Sequence, residues 1–254
     1  DNSDLPSSEL KLKLEKSNID YEYSFNGSNI GFAKACNLGI IKSKQDGFNY
    51  SMLLNSDTVL IDDSPINAIN YFQKSQDIGV LGIINYYYDY PNKIWQSGKN
   101  LRKSMLGFKN VKPSKGELTY CDYVPGSSLI INLDIIEKVG LLDENYFAYY
   151  EEIDFCFKLK KEGFKIAYIN DSKLLHHVGA SSKSNIKTYL KTRNKLYFYN
   201  KIHKNKIFFL ITTFIILTKD CLVYIKNDLK LSFTPYIYFG IKDFRRNNMN
   251  NNRF

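Results

Sequence analysis

Short apolar runs alternate with amphipathic segments over most of the chain, which is the pattern of strands that alternate with helices. The apolar or alternating runs predict strands at residues 21–25, 51–54, 78–84, 129–131, 164–169 and 173–177. Helical spacing and capping residues predict helices at residues 10–16, 29–40 (entered through a loop), 65–75, 134–139 and 151–162, the last one closed by Gly163. This order predicts an α/β fold with a mostly parallel sheet.

Two regions depart from this alternation. Residues 86–115 show no regular period and contain Trp95. From about residue 192 the composition shifts, and residues 207–217 form an apolar run that is too short to span a bilayer alone. The surrounding lysines and aromatic residues favour a helix at a membrane interface, but a buried helix of a C-terminal subdomain fits the same pattern.

Composition narrows the class of protein. The chain has 254 residues, 44% of them hydrophobic, and a net charge of +9, which allows one large domain plus an appendage and favours an anionic partner. Nucleic acid is the least favoured partner, because no basic recognition helix or aromatic ribonucleoprotein motif is recognisable. The four cysteines form no Cys-x-x-Cys pair and no zinc spacing, which indicates free thiols in a reducing compartment.

The densest candidate chemistry is a cluster of three acids at the start of a predicted helix. Glu151, Glu152 and Asp154 lie within four positions. Carboxylates this close repel one another, which raises the pKa of at least one of them and suits it to act as a general base. Acids in the first turn of any helix are also favoured by the helix dipole, so a structural interpretation is open as well.

Two strand ends carry possible metal ligands. Asn55-Ser56-Asp57 follows a buried strand, at the edge of the sheet where α/β proteins bind ligands, and Asp57 there could hold Mg²⁺ or Mn²⁺. His176 and His177 end another strand, and histidines there can ligate Mn²⁺ or Zn²⁺. The alternatives are a turn at residues 55–57 and structural histidines.

A third polar group lies near residue 190. Tyr189 lies close in sequence to Arg193 and Asn194, and the Arg193 guanidinium is suited to phosphate oxygens. A solvated helix face is the alternative interpretation. Trp95 could stack on a sugar ring, although a single tryptophan is more often part of a core.

Several short motifs acquire meaning from their order along the chain. They are, in sequence, residues 1–3 (Asp-Asn-Ser), residues 29–33 with Asn37, residues 54–57, residues 124–127, residues 139–147 leading into residues 150–154, and residues 175–176 with Ser181. Together they resemble the inverting glycosyltransferases of family 2, which have the GT-A fold with helices on both faces of the sheet. The closest likeness is to the rhamnosyltransferase-like and galactofuranosyltransferase-like branch.

The resemblance implies a role for each motif. It implies that Asp1 contacts the nucleobase, that the nucleoside lies against Asn29, Gly31 and Asn37, and that Asn55 and Asp57 replace the family's Asp-x-Asp beside the diphosphate. Asp57 and His176 would hold the divalent metal, Mn²⁺ or Mg²⁺, and His177 is an open alternative. Glu152 would be the base supported by Glu151 and Asp154, and Arg193 would contact phosphate of the donor or of a lipid carrier.

The implied reaction is one in-line displacement at the anomeric carbon of a nucleotide-sugar, with dTDP- or UDP-sugars as donors. The implied acceptor is a lipid-linked glycan in bacterial cell-surface polysaccharide synthesis, O-antigen or capsule. The protein would then be peripheral on the cytoplasmic face of the inner membrane. A catalytic domain is expected at residues 1–194 and a helical, membrane-proximal region at residues 195–254.

One departure from the family pattern concerns its first βα unit and following strand. The family begins with these elements, and the resemblance starts at Asp1 after them, so roughly 30–40 residues are expected to be missing. An inactive remnant, or a membrane-associated interaction protein, is therefore a second hypothesis. Nucleotide binding in the presence of Mn²⁺ separates it from an active enzyme.

Overall fold

The computed structural model describes residues 1–102, 107–178, 184–203, 205–226 and 234–249. The helices are α1 (Ser8–Glu15), α2 (Phe32–Gln45), α3 (Ser64–Lys74), α4 (Ile136–Val139), α5 (Glu151–Lys161), α6 (Ser184–Ile202), α7 (Lys206–Lys226) and α8 (Thr234–Arg245). The strands are β1 (Tyr50–Leu54), β2 (Thr58–Leu60), β3 (Ile78–Gly82), β4 (Asn85–Tyr87), β5 (Ile94–Gln96), β6 (Lys99–Leu101), β7 (Phe108–Asn110), β8 (Leu118–Tyr120), β9 (Ser128–Asn132), β10 (Lys165–Ile169) and β11 (Leu174–His176).

The central sheet has the strand order β1-β9-β3-β10-β8. β10 runs parallel to β3, whereas β9 runs antiparallel to both β1 and β3, and β8 runs antiparallel to β10. The α/β class is therefore as predicted, but the sheet is mixed rather than mostly parallel. β9 is buried along almost its whole length, and such a continuous apolar run carries no period that reveals its direction.

A second sheet has the order β2-β11-β4-β5, and β6 pairs with β7 in a separate hairpin. Four of these short strands come from residues 86–115 and their immediate surroundings, where the sequence showed no period. The strand predicted at residues 21–25 does not form; most of these side chains are exposed, so little burial favours strand pairing there.

The core lies on both faces of the central sheet. β3 is buried at every position, and α5 covers one face with the fully buried residues Phe155, Cys156 and Leu159. The domain boundary predicted between residues 194 and 195 falls inside α6, which is unbroken there. Phe198, beyond that boundary, is fully buried in the same core, so α6 joins the predicted tail to the body that contains the central sheet.

The C-terminal helices differ in how they contact this body. α8 packs closely against α6, while α7 exposes a row of large apolar side chains. Within the described residues, no helix has the length and apolar character needed to cross a membrane.

Candidate functional site

The acid cluster begins α5 after an unusual turn. Phe147, Tyr149 and Tyr150 have φ angles of 58°, 71° and 81°, in the left-handed region that residues with a side chain rarely adopt. Each such residue costs about 1–3 kcal/mol and persists only where its surroundings hold it. Three of them within four positions indicate that the direction of α5, and of the acids in its first turn, is imposed by the tertiary structure.

The start of α2 closes one side of this turn. The Phe147 carbonyl oxygen accepts hydrogen bonds from the amides of Phe32 (2.6 Å) and Ala33 (3.3 Å). Gly31 has a φ of +90°, and a Cβ atom there would lie 2.6 Å from Cδ2 of Phe147. Glycine is therefore required at residue 31, where it lets two backbone segments meet. Asn29 is exposed, and its Oδ1 atom accepts a hydrogen bond from the Gly31 amide at 3.1 Å.

Two of the three acids face the protein interior. Asp154 is 3% exposed and accepts a hydrogen bond from Lys201 Nζ at 2.7 Å. Burial raises the pKa of Asp154, and the Lys201 ammonium opposes that rise. Glu151 is also buried, and burial followed by the charge of Glu152 raises its pKa well above the usual range. Glu151 lies near Cys36 of α2, whose thiol pKa is raised to about 12 by burial and then by Glu151.

Glu152 has a different environment, because it remains partly exposed. It lies beside Gly126, where an added Cβ would be 3.5 Å from the Glu152 Cβ atom. Its Oε2 atom is buried and has no hydrogen-bond partner in the described part of the chain. Burial raises the pKa of Glu152, while nearby backbone amides and the cations of Lys191 and Lys99 partly offset that rise.

Neither of these two lysines stands out in the sequence, since lysine is common throughout the chain. Lys191 lies on α6, with its Nζ atom 5.3 Å from the centre of the Tyr149 ring. Lys99 is on β6, and burial lowers its pKa while Glu152 opposes that change. Both cations therefore belong to the electrostatic surroundings of Glu152.

The predicted metal ligands meet where β2 and β11 pair. Thr58 is opposite His176 in this ladder, and the His177 amide donates to the Asp57 carbonyl oxygen at 2.9 Å. His176 Nε2 lies 3.4 Å from Asp57 Oδ1, and both side chains are largely buried. The His177 ring instead stacks on Tyr88 with a centroid distance of 3.6 Å. The geometry therefore favours His176 over His177; Ser181, expected to accompany it, lies outside the described residues.

The Asp57–His176 pair fits a divalent cation. Neighbouring ligands about 2.1 Å from one octahedral ion are separated by about 3 Å, close to the observed separation. Asp57 Oδ2 is buried without a hydrogen-bond partner in the described ranges, as expected of an oxygen reserved for a cation. Burial lowers the pKa of His176, which favours the neutral imidazole that binds metals. No group of three or more His, Cys, Asp or Glu side chains forms a metal cluster among the described residues.

Trp95 packs against the candidate metal ligand His176 rather than in an isolated core position. Asp57 and His176 are here called the metal half of the site. Its ring stacks on His176 with a centroid distance of 4.4 Å and an interplanar angle of 23°. The tryptophan is half-buried. It therefore restricts the plane of the imidazole, a contact that differs from both the sugar platform and the core residue expected from the sequence.

The loop at residues 125–128 connects the two halves of the site. The Asn55 amide donates to the Ser127 carbonyl oxygen at 3.2 Å, while the neighbouring Gly126 lies against Glu152. Ser127 Oγ donates to Oδ1 of Asn85 at 2.9 Å, and Asn85 is fully buried. Asn85 is thus a support of the site that the sequence did not reveal, because its importance comes from contacts with residues distant in the chain.

Two residues expected at the nucleotide-sugar are buried against protein groups. Asn37 is 2% exposed. Its Nδ2 group donates to the Leu142 carbonyl oxygen and to Glu144 Oε1, both at 3.0 Å, and its Oδ1 atom accepts from the Leu142 amide at 3.0 Å. Arg193 is fully buried, and its guanidinium donates to Asn194 Oδ1 and to the Tyr146 carbonyl oxygen. These buried contacts favour structural roles for both residues. The contacts of Asn37 with the nucleoside and of Arg193 with phosphate stay predictions.

The Asp1 carboxylate forms hydrogen bonds with residues of the N-terminal segment. Its Oδ2 atom accepts hydrogen bonds from the Tyr23 hydroxyl (2.5 Å) and the Ser7 amide (3.1 Å), and its Oδ1 atom accepts from the Ser3 amide (3.0 Å). These bonds order the segment before α1. The contact of Asp1 with a nucleobase stays a prediction.

Comparison with solved structures identifies the fold. The chain is similar to GalNAc-T7 crystallised with UDP, GalNAc and Mn²⁺ (TM-score 0.56, 15% identity, 74% of this chain and 41% of that one). It is also similar to S. aureus TarS 1–349 in complex with UDP-GlcNAc (TM-score 0.53, 13% identity, 94% of this chain and 68% of that one). At these identities the likeness shows the fold alone, which is GT-A.

Curated sequences and a family model identify the family. The low-salt glycan biosynthesis hexosyltransferase Agl10 of Haloferax volcanii is 26% identical over 79% of this chain and 67% of its own length. The dTDP-rhamnosyl transferase RfbF of Shigella flexneri is 25% identical over 80% of this chain and 74% of its own length. The model described as "Glycosyl transferase family group 2" matches residues 51–241, which include Asp57, Glu152 and His176. The chain therefore belongs to glycosyl transferase family group 2.

Proposed function

We propose that this protein transfers a hexose, of the rhamnose type or a related one, from a nucleotide-sugar to a hydroxyl group of a glycan, with inversion and with Glu152 as the base. The observation that carries the proposal is the contrast within the acid cluster. Asp154 is paired with Lys201. Glu151 and Glu152 each have an oxygen without a partner among the described residues, but Glu151 is buried, whereas Glu152 is partly exposed and lies beside Gly126. The names of the relatives, a hexosyltransferase and a dTDP-rhamnosyl transferase, support the class of substrate.

In the proposed reaction Glu152 removes the proton of the acceptor hydroxyl as its oxygen attacks the anomeric carbon. The bond to the nucleoside diphosphate breaks on the opposite face, so one displacement inverts that carbon. A carboxylate whose pKa is raised by burial is a stronger base than an exposed one at neutral pH. Lys99 and Lys191 keep part of the Glu152 population ionised by favouring its charged form.

Asp57 and His176 would hold a divalent metal ion, and the ion would supply positive charge for the departing diphosphate. Asp57 Oδ2 is the oxygen available to it, and Trp95 keeps the His176 ring in place. Asn55, Asn29 and Gly31 lie on the loops that would border the nucleotide, and Asp1 would face its base. Mg²⁺ and Mn²⁺ commonly combine one or two protein ligands with substrate phosphates, which suits a pair rather than a complete cluster.

The acceptor we propose is a lipid-linked glycan at the cytoplasmic face of the inner membrane, with α7 lying on that surface. The helix exposes apolar side chains at a helical spacing: Ile207, Leu210, Ile211, Phe214, Ile215 and Leu222. An apolar helix face on a strongly basic protein is typical of helices that bind anionic lipid surfaces. A relative that matches 29% of this chain is named N-acetylglucosaminyl-diphospho-decaprenol L-rhamnosyltransferase, which indicates a lipid-linked acceptor for that protein.

The membrane proposal predicts that Phe214→Glu together with Leu210→Glu abolishes co-flotation with vesicles containing anionic lipid. Burying two large apolar side chains contributes about 3–6 kcal/mol, so their loss is expected to weaken binding more than a hundredfold. Thr218→Glu, an exposed non-apolar position on the same helix, is the charge control. Equal flotation of the double variant and wild type would refute the placement of α7.

The transfer reaction is tested with Glu152→Gln in the presence of Mn²⁺ and a panel of dTDP- and UDP-sugars. General-base catalysis contributes about 10²–10⁴-fold, so product formation is expected to fall by that factor while donor affinity, measured by calorimetry, stays within about twofold. Wild-type turnover by Glu152→Gln would refute the base assignment. Failure of the wild-type protein to bind any nucleotide would instead favour the inactive-remnant hypothesis.

A further inference from the structure

The α6 segment that contains Arg193 faces the turn before α5, and Asn194 makes the central contacts. Asn194 is fully buried, and its Nδ2 amide group donates to the carbonyl oxygens of Tyr146 (2.8 Å), Ala148 (2.8 Å) and Tyr149 (2.7 Å). Residues 147, 149 and 150 of this turn have left-handed backbones. One buried amide therefore binds the carbonyl groups of a backbone segment that would not adopt this shape unaided.

Arg193 fixes the orientation of that amide. Its Nε atom donates to Oδ1 of Asn194 at 3.0 Å, so the other end of the amide, Nδ2, points to the turn. Its Nη2 atom donates to the Tyr146 carbonyl oxygen at 3.3 Å. Arg193 thus acts on the turn both directly and through Asn194.

Helix α8 completes the arrangement from the far end of the chain. Asp243 Oδ2 accepts a hydrogen bond from the Tyr189 hydroxyl at 2.7 Å, and that hydroxyl lies 3.5 Å from Arg193 Nη1. Gly240 permits the close approach, since a Cβ atom there would lie 2.9 Å from the Tyr189 carbonyl oxygen and 3.1 Å from the Arg193 amide nitrogen. Asp243 is fully buried, as Arg193 is, so the negative charge on α8 faces the positive charge on α6.

We propose that Asn194 is a positioning residue for Glu152, held in place by Arg193 and, through Tyr189, by Asp243 of α8. The turn it binds ends at Tyr150, two residues before Glu152, so the shape of the turn sets where α5 begins and where that carboxylate points. The C-terminal helix is then part of the catalytic apparatus although it contributes no catalytic residue. This inference rests on the proposed role of Glu152 as the base.

The test compares Asn194→Asp with Asn200→Asp in the full chain. Asn194→Asp preserves the shape of the side chain but places a carboxylate oxygen against three carbonyl oxygens. Asn200→Asp introduces the same charge at an exposed position of the same helix. We expect Asn194→Asp to lower kcat about 100-fold, the usual effect of misplacing a catalytic group by about 1 Å. We also expect hydrogen exchange of the amides at residues 146–153 to become about tenfold faster. Asn200→Asp is expected to match wild type in both.

The pH dependence separates positioning from loss of folded protein. A loosened turn admits water to Glu152, which removes part of the burial that raises its pKa, so the acidic limb of the kcat profile should move to lower pH. Simple destabilisation would lower kcat at every pH and leave the midpoint of the acidic limb unchanged. Asp243→Asn is a milder change, because an amide oxygen can still accept the hydrogen bond of the Tyr189 hydroxyl. It should show the same shift of the acidic limb to a smaller extent, and it replaces Asn194→Asp in this test if that variant does not fold.

The outcomes also separate this inference from the proposed function. Wild-type exchange at residues 146–153 and an unchanged pH midpoint in Asn194→Asp and Asp243→Asn would overturn the positioning role, even if Glu152→Gln is inactive. If Glu152→Gln retains turnover while exchange in the Asn194→Asp turn is faster, the base assignment fails and the effect of Asn194 on the turn stands.

Discussion

The two halves of the candidate site are built on different kinds of backbone. Asp57 and His176 lie at the ends of regular strands, where the pairing of β2 with β11 brings them together. Glu152 follows a turn with three left-handed residues, whose carbonyl groups are held by α2 on one side and by Asn194 on the other. The first half is held by regular strand pairing and by the Trp95 ring, whereas the second depends on an irregular turn that distant residues hold in place.

This difference predicts that a ligand substitution in the metal half mainly lowers activity. His176→Ala is expected to lower kcat/KM about 100–1000-fold, since a metal ion contributes several kcal/mol of transition-state stabilisation. His177→Ala is the matched control, because that ring stacks on Tyr88 at the surface and should leave the rate within about threefold of wild type. Steady-state kinetics with Mn²⁺ measures both. Equal losses in the two variants would break the assignment of His176.

The same difference predicts that a change at the turn mainly lowers stability. Gly31→Ala forces a side chain into a φ of +90° and against Phe147, and should cost about 2–3 kcal/mol in the free energy of unfolding. Gly39→Ala, inside α2 with no atom within 4 Å of the new Cβ, should instead gain about 0.5–1 kcal/mol. Urea denaturation measures both. A neutral Gly31→Ala would show that the contact between α2 and the turn is loose.

The smallest expected effect concerns the buried acid Glu151. Its folded-state pKa is raised by burial, so its ionisation opposes folding at any pH above the unfolded value of about 4.3. Glu151→Gln should therefore stabilise the protein at neutral pH by about 1 kcal/mol, the scale of one buried unsatisfied group. The gain should vanish below the unfolded pKa, grow as pH rises through the interval up to the folded pKa, and then level off. Thermal unfolding at pH 4 to 8 checks this; a gain that shrinks with rising pH would contradict the burial of an ionisable Glu151.

The sequence predicted the regular elements better than their pairing. Helices such as α3 and α5, and buried strands such as β1 and β3, form within a few residues of the predicted ranges, because their periods and caps are local signals. The antiparallel direction of β9 and the short strands around Trp95 could not be predicted, since both follow from pairing with distant segments.

In the candidate site, the sequence singled out the acids and the predicted metal ligands but not the residues that support them. The acids of α5 and the Asp57–His176 pair were found from residue type and position. Asn37 and Arg193 were assigned to the ligand because their side chains suit it, yet both are buried against protein groups. Only the three-dimensional structure distinguishes a polar residue that binds a ligand from one that binds the backbone near it.

The most direct test of this account is the ratio of kcat values for Glu152→Gln and Glu151→Gln at saturating donor and Mn²⁺. The substitutions are chemically identical and adjacent, so they differ only in which carboxylate is removed. The account predicts that Glu152→Gln loses about 10²–10⁴-fold and that Glu151→Gln stays within about tenfold of wild type. An inactive Glu151→Gln beside an active Glu152→Gln would contradict it.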